Sequence, residues 1–343
     1  MIRRRIALGL ACGVMACGAL AVATNGAELV ERCAELAAAT EDSVVRGQDG
    51  WLFLRGELRH IGAGKFWGDE AVHVSRSSKP EHADPLPAIL DTHRQFKALG
   101  IRLIVVPVPP KAVIYPDKIV PELDWDGTRR LDPVHQAFYR VLEEQGVNII
   151  DPTPALLAAR KEQEGELYCR QDTHWSGRAC VLVAGLIARE LKKEAWYKDV
   201  PPSPHSATEE DIAIDGDLKI MLNDASIPQE TLRIRVIDAN KSPVEADAGG
   251  PVLLMGDSHC LVFQAGDDML ASSAGLPSQL AMELQLPIDW IGVRGSGARP
   301  ARTQLFRRAR KPGYLAGKHV VIWCFSAREF TEASGWGKIP VKR

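Results

Sequence analysis

Ser258 closes the run Leu253-Leu254-Met255-Gly256-Asp257-Ser258, and a second polar cluster, Gln171-Asp172-Thr173-His174-Trp175-Ser176, lies upstream. Together they hold a hydroxyl, an imidazole and a carboxylate. A serine hydroxyl is a weak nucleophile until an imidazole takes its proton, and a carboxylate on the other ring nitrogen fixes the tautomer that can do so. The pattern therefore predicts acyl-transfer chemistry with Ser258 as nucleophile, His174 as base and Asp172 as its orienter. In an extended segment residues two apart point the same way, which would bring Asp172 to His174. The competing structural reading makes Asp172-Thr173 or Ser176 a helix cap for the segment after Gly177. His259 is a rival base, ranked lower because a sequence neighbour of Ser258 points away from it in most turns.

The apolar strand before Gly256 and the sharp turn after it would present Ser258 at the carboxyl end of a sheet, where open α/β folds bind ligands. The rest of the chain supports such a sheet. Ile101–Val108 is a continuous apolar run suited to a strand buried on both faces. Further strands are expected at 147–150, 252–255, 288–293 and 319–325, alternating with helices at 85–99, 131–145, 153–164, 177–193 and 276–286. A short helix is expected at 28–40 and a turn feeding a strand at 47–54. Residues 55–84 read as a long loop and 201–250 as a mixed polar insertion. The predicted architecture is a three-layer α/β fold with a parallel sheet flanked by helices.

The chain has 343 residues, 45% hydrophobic and 25% charged, with 42 basic against 44 acidic side chains. These are globular values, and the near-neutral balance gives no reason to expect a nucleic-acid partner. Arg3-Arg4-Arg5 precedes an uncharged stretch, Ile6 to Ala23, ending in Ala21-Val22-Ala23. That is the pattern of a secretory signal or an N-terminal anchor over residues 1–23, followed by a single domain from 24 to 343. Val14-Met15-Ala16-Cys17 bears a weaker likeness to a lipoprotein processing site. Of the seven cysteines, Cys33, Cys169, Cys180, Cys260 and Cys324 follow the export segment. Either a bridge from Cys33 to Cys169 or Cys180, or five buried thiols, fits that count. No metal or nucleotide cofactor is indicated.

The pairing of Asp172-Thr173-His174-Trp175 with the later Gly256-Asp257-Ser258 resembles the AlgX/AlgJ-type alginate O-acetyltransferases, whose catalytic domain is similar to the SGNH hydrolase fold. Three supporting segments extend the likeness over most of residues 40–335. They are Gly47-Gln48-Asp49-Gly50-Trp51-Leu52-Phe53-Leu54, Pro107-Val108-Pro109-Pro110-Lys111 and Ile322–Phe330. The Asp-x-His precedes the serine, as in the acetyltransferase branch and unlike ordinary SGNH hydrolases. With no room for an added carbohydrate module, the AlgJ type is the closer likeness. The resemblance implies a periplasmic enzyme without a cofactor, acetylating hydroxyls of a polysaccharide through acetyl-Ser258. A membrane O-acyltransferase would be the partner that supplies the acetyl donor. A secreted esterase with the same triad, or a non-catalytic polysaccharide-binding subunit, are the alternatives.

Five further residues are candidates for the oxyanion or substrate: Gly295 and Gly297 after the fourth strand, Ser326 and Arg328 after the fifth, and Lys111. Trp51, Trp67, Trp175 and Trp336 could stack on sugars, with core packing as the default. Between Asp289 and Glu329 nine basic residues (Arg294, Arg299, Arg302, Arg307, Arg308, Arg310, Lys311, Lys318 and Arg328) occur with no acidic one. They suggest a basic rim for a polyanion such as a uronate polymer.

Overall fold

The structure, a computed structural model, describes residues 15–162, 164–239 and 242–342. The expected export segment lies largely outside them. Among the described residues no helix is long and apolar enough to cross a membrane.

In chain order the strands among the described residues are β1 (Val44–Arg46), β2 (Leu52–Leu54), β3 (Arg102–Val108), β4 (Asn148–Ile149), β5 (Ser206–Ile214), β6 (Glu230–Ala239), β7 (Ser242–Pro243), β8 (Val252–Gly256), β9 (Ile288–Gly292) and β10 (Val320–Ser326). Five of them form the central sheet in the order β4-β3-β10-β8-β9, and every pairing is parallel. The last strand, β10, sits in the middle. It runs beside β3 from Val320↔Arg102 to Ser326↔Val108, and beside β8 from Val320↔Val252 to Cys324↔Gly256.

The two-residue side-chain period divides these strands between two cores. Ile104, Val106, Val108, Leu254 and Ile322 face one side with Val183, Ala184 and Leu280 from the helices Gly177–Leu191 and Leu276–Leu284. Leu103, Val105, Met255, Val321 and Trp323 face the other with Phe96, Phe138 and Leu305 from the helices Pro85–Ala98, Pro133–Glu144 and Arg299–Ala309. Because helices cover both faces, the buried strands read as unbroken apolar runs.

The expected strands and helices fall within a few residues of their predicted places. Residues 55–84 depart from expectation: Arg55–Gly62 is a helix, whose buried Glu57, Leu58, His60 and Ile61 turn its inner face to the protein. The helix expected at 28–40 is the end of a longer one, Met15–Ala39. The insertion at 201–250 forms an antiparallel sheet, β5-β6-β7, with the short helix Asp217–Leu222 between β5 and β6. Cys33, Cys169, Cys180, Cys260 and Cys324 are free and buried, so the Cys33 bridge does not form.

Candidate active site

Gly256 ends β8, and the chain turns at once into a single helical turn, Ser258–Cys260. The Asp257 side chain caps that turn, accepting the His259 N–H at 2.9 Å, and it also accepts the Ser326 N–H from the end of β10 at 2.7 Å. One carboxylate thus pins the Ser258 turn to the neighbouring strand. Ser258 and His174 are only 6% and 5% exposed.

His174 Nε2 lies 2.7 Å from Ser258 Oγ, and His174 Nδ1 lies 2.6 Å from Asp172 Oδ1. The segment 171–174 is a bend rather than the extended strand expected. Asp172 Oδ1 also accepts the His174 backbone N–H at 3.0 Å, and this local turn is what folds the carboxylate onto the ring. The capping role is real but belongs to Ser176, whose Oγ accepts the Ala179 N–H.

Asp217, which sequence reasoning missed, completes the arrangement. Its N–H donates to Asp172 Oδ2 at 2.8 Å, while its carboxylate accepts the Thr173 N–H and hydroxyl at 2.7 and 2.6 Å. Burial works against the Asp172 carboxylate, but the His174 imidazole and the N–H donors outweigh it and hold its pKa down to about 2. Burial likewise opposes the His174 imidazolium; Asp172 prevails and raises the His174 pKa. Asp172, His174 and Asp217 offer three ligand atoms within 4.8 Å of one another. Their lone pairs already take the hydrogen bonds just described, so the cluster is better matched to orienting a base than to holding a cation.

His259, the rival base, donates no bond to Ser258. Its Nδ1 meets Asp257 at 3.1 Å, and its ring stands edge-on to His174 and Trp175. Burial, only partly offset by Asp257, pushes its pKa down to about 4. A histidine kept neutral in the fold favours folding above its unfolded pKa near 6.5, and that contribution is lost as pH falls toward 4. At about 1.4 kcal/mol per unit, the loss reaches about 3 kcal/mol. The buried pair His60 and His135 acts in the same direction. Urea unfolding from pH 7.5 to 4.5 should therefore show a shallower pH slope for His259→Gln than for wild type. Equal slopes would refute the assignment.

Arg328 lies beyond β10, half-buried, and its Nη1 is shut from solvent without a partner. Burial works against its charge, but the carboxylates of Glu57, Asp257, Glu329 and Asp217 favour it more strongly. Of these residues, Asp257 caps the Ser258 turn and Asp217 bonds Asp172. Ser326 Oγ is also buried and unpartnered. Glu329, bonded to Ser296, is raised to about 7 by burial and then by Asp257. Gly297 packs tightly on the turn that carries Ser258: a Cβ there would stand 2.9 Å from Asp257 N and 2.8 Å from Phe325 Cβ. Gly295 has a positive φ of 90°.

Lys111 does not face the site. It is 1% exposed, and its Nζ donates to the carbonyls of Leu52, Arg170 and Asp172 at 2.6, 3.0 and 3.0 Å. It is an internal clamp on the segment carrying His174. Its backbone N–H donates to Glu57, the buried acid on the unexpected helix. Trp51, Trp175 and Trp336 are core residues, and Trp67 is partly buried. The nine cations form no common rim. Arg294 pairs with Asp268, Arg308 and Lys318 pair with Asp289, and Arg302 is buried against Trp323 and Trp336. Residues adjacent in sequence were dispersed around the helix Arg299–Ala309 and both ends of the sheet.

Residues 44–327 match the family described as ALGX, SGNH hydrolase-like domain, acetyltransferase AlgX. The probable alginate O-acetylase AlgJ of Pseudomonas syringae is 25% identical over 310 residues, covering 87% of this chain and 72% of the relative. Its counterpart in Pseudomonas aeruginosa is 27% identical over 158 residues, covering 46% of this chain and 35% of the relative. Among solved structures, the O-acetyltransferase domain of Pseudomonas putida AlgJ superposes with a TM-score of 0.60 at 19% identity, covering 84% of this chain and 92% of that domain. Pseudomonas aeruginosa AlgX gives 0.56 at 16% identity, covering 83% and 62%. With the match to the family spanning most of its length, this chain belongs to the AlgX acetyltransferase family of SGNH hydrolase-like domains.

Proposed function

We propose that the protein is a periplasmic O-acetyltransferase that esterifies hydroxyls of an alginate-like polysaccharide through an acetyl-Ser258 intermediate. The observation that carries this reading is the continuous chain Ser258 Oγ–His174 Nε2 and His174 Nδ1–Asp172 at 2.7 and 2.6 Å. His174 takes the Ser258 proton as Oγ attacks the acetyl carbonyl of a donor ester. The tetrahedral oxyanion collapses, the donor's alcohol leaves with the proton held on His174 Nε2, and acetyl-Ser258 remains. A sugar hydroxyl then gives its proton to His174 and attacks the acetyl carbon. Ser258 departs with that proton, and the free enzyme returns.

The N–H groups of Ser258 and Gly297 are the proposed oxyanion donors, and the unpartnered Arg328 Nη1 is the proposed substrate contact. Gly295 serves this reading as a turn of the loop after β9, and Ser326 as the strand end to which Asp257 is tied. A membrane O-acyltransferase would present the donor, and the export segment would place the chain in the periplasm as one catalytic domain. The AlgJ and AlgX names of the relatives support the alginate-like acceptor.

The test is intact-mass analysis after incubation with p-nitrophenyl acetate. Wild type is expected to gain one acetyl group and Ser258→Ala none. Alginate oligosaccharide should then discharge the label as an O-acetylated sugar. Discharge to free acetate alone, at an unchanged rate, would make the protein an esterase instead.

A further inference from the structure

The sheet has a second pole. At the amino-terminal ends of β3 and β10, a cavity of about 620 Å³ opens among Arg310, Lys311, Tyr314, His319 and Lys342. β10 runs from Val320 at this end to Ser326, a span of ~20 Å at ~3.3 Å per residue. No acidic side chain lines the cavity. The carboxylates nearby are already engaged. Asp289 takes Arg308, Tyr314 and Lys318, while Glu190 and Glu194 take Arg102, which begins β3. Among the described residues, Arg310, Lys311 and Lys342 have no ion pair, and all three are exposed.

An aromatic platform stands beside these cations. The exposed His319 ring lies flat on Trp196, with centroids 4.9 Å apart and planes 2° apart. A surface of this composition, uncompensated cations in a concavity beside stacked rings, matches a ligand whose rings have an apolar face and whose edges carry carboxylates.

We propose that this pole is a second, non-catalytic binding site for a run of acidic sugars. It would hold the polymer while hydroxyls elsewhere along it reach Ser258. That coupling rests on the acetyltransferase reading; the binding itself does not. The concave shape favours an oligosaccharide, because a flat lipid surface would meet only the outermost of these charges.

The experiment is calorimetric titration of the full chain with alginate oligosaccharide, in wild type and in the Arg310→Ala/Lys311→Ala/Lys342→Ala variant. The variant is expected to bind about tenfold more weakly or worse, with less dependence on salt. Its Ser258 labelling by p-nitrophenyl acetate is expected to be unchanged. Trp196→Ala should weaken binding as well, without altering the salt dependence. Unchanged affinity in the triple variant would overturn the proposal, as would equal binding of a neutral oligosaccharide of the same length. Phosphatidylglycerol vesicles held through the same three cations, with no oligosaccharide bound, would overturn it in favour of a membrane contact. The acetyltransferase reading fails separately, by absence of the Ser258 label in a protein that still binds oligosaccharide.

Discussion

Replacing Asp172 by asparagine is expected to lower the rate of Ser258 acetylation by roughly ten-thousandfold, the scale of such a change in a serine triad. The size follows from how fully the carboxylate is used. Oδ1 accepts both the His174 Nδ1–H and its backbone N–H, and Oδ2 accepts the Asp217 N–H. Asparagine has only one oxygen. If that oxygen faces His174, the amide NH₂ confronts the Asp217 N–H, donor against donor. If it faces Asp217, the NH₂ confronts His174 Nδ1 and forces the ring proton onto Nε2, the atom that must accept from Ser258. The pH profile distinguishes this from simple damage. In wild type Asp172 raises the His174 pKa, so the ascending limb of activity should have its midpoint above 6.5. In Asp172→Asn burial is opposed only by the Asp217 carboxylate, a weaker influence than Asp172, and the limb should move to lower pH. Stopped-flow acetylation across pH 5 to 9 measures both. A loss of less than tenfold, with the limb unmoved, would show that Asp172 is not the orienter.

The legible parts of this site were those encoded locally. Ser258 stood out because an unbroken apolar run ended in Gly-Asp-Ser, and Asp172 and His174 because one hexapeptide held both. Asp217 is 45 residues from Asp172, on a short helix after β5, a strand exposed over most of its length. Its role depends on a backbone N–H and two acceptor oxygens meeting a distant bend. Glu57 was hidden for a related reason: Arg55–Gly62 is mostly polar, and its helical state rests on tertiary packing rather than on propensity. Lys111 shows the opposite error. Its place after β3 was right, but a long side chain can turn inward, and three carbonyls were waiting there. The basic stretch after Asp289 makes no single rim, because the fold pairs Arg294, Arg308 and Lys318 with carboxylates and carries Arg310 and Lys311 to the cavity at the far end of the sheet.

Replacing Gly256 by alanine is expected to destabilise the protein by about 3 kcal/mol or more, the upper range for forcing a methyl into filled space. Its φ is unremarkable; the constraint is the neighbour. A Cβ at this position would stand 1.7 Å from the Cys324 carbonyl oxygen and 2.8 Å from Cys260 Sγ. The first contact is with backbone in the central strand of the sheet, so no side-chain rotation relieves it. β10 would have to part from β8 at its carboxyl end, where Cys324 pairs with Gly256. Two residues on, the Ser326 N–H holds Asp257, whose side chain in turn caps the Ser258 turn. The glycine of Gly-Asp-Ser is therefore the point at which close strand packing becomes presentation of Ser258. Any folded Gly256→Ala protein should label with acetate far more slowly, because Ser258 has moved from His174. Gly185→Ala is the control: it lies in the helix Gly177–Leu191 with nothing within 4 Å of the added methyl. That change should stabilise by about 0.5–1 kcal/mol through helix propensity, with labelling intact. Urea midpoints for the two variants, read together, check the argument. A Gly256→Ala midpoint equal to wild type would mean the sheet end yields easily and does not set the position of Ser258.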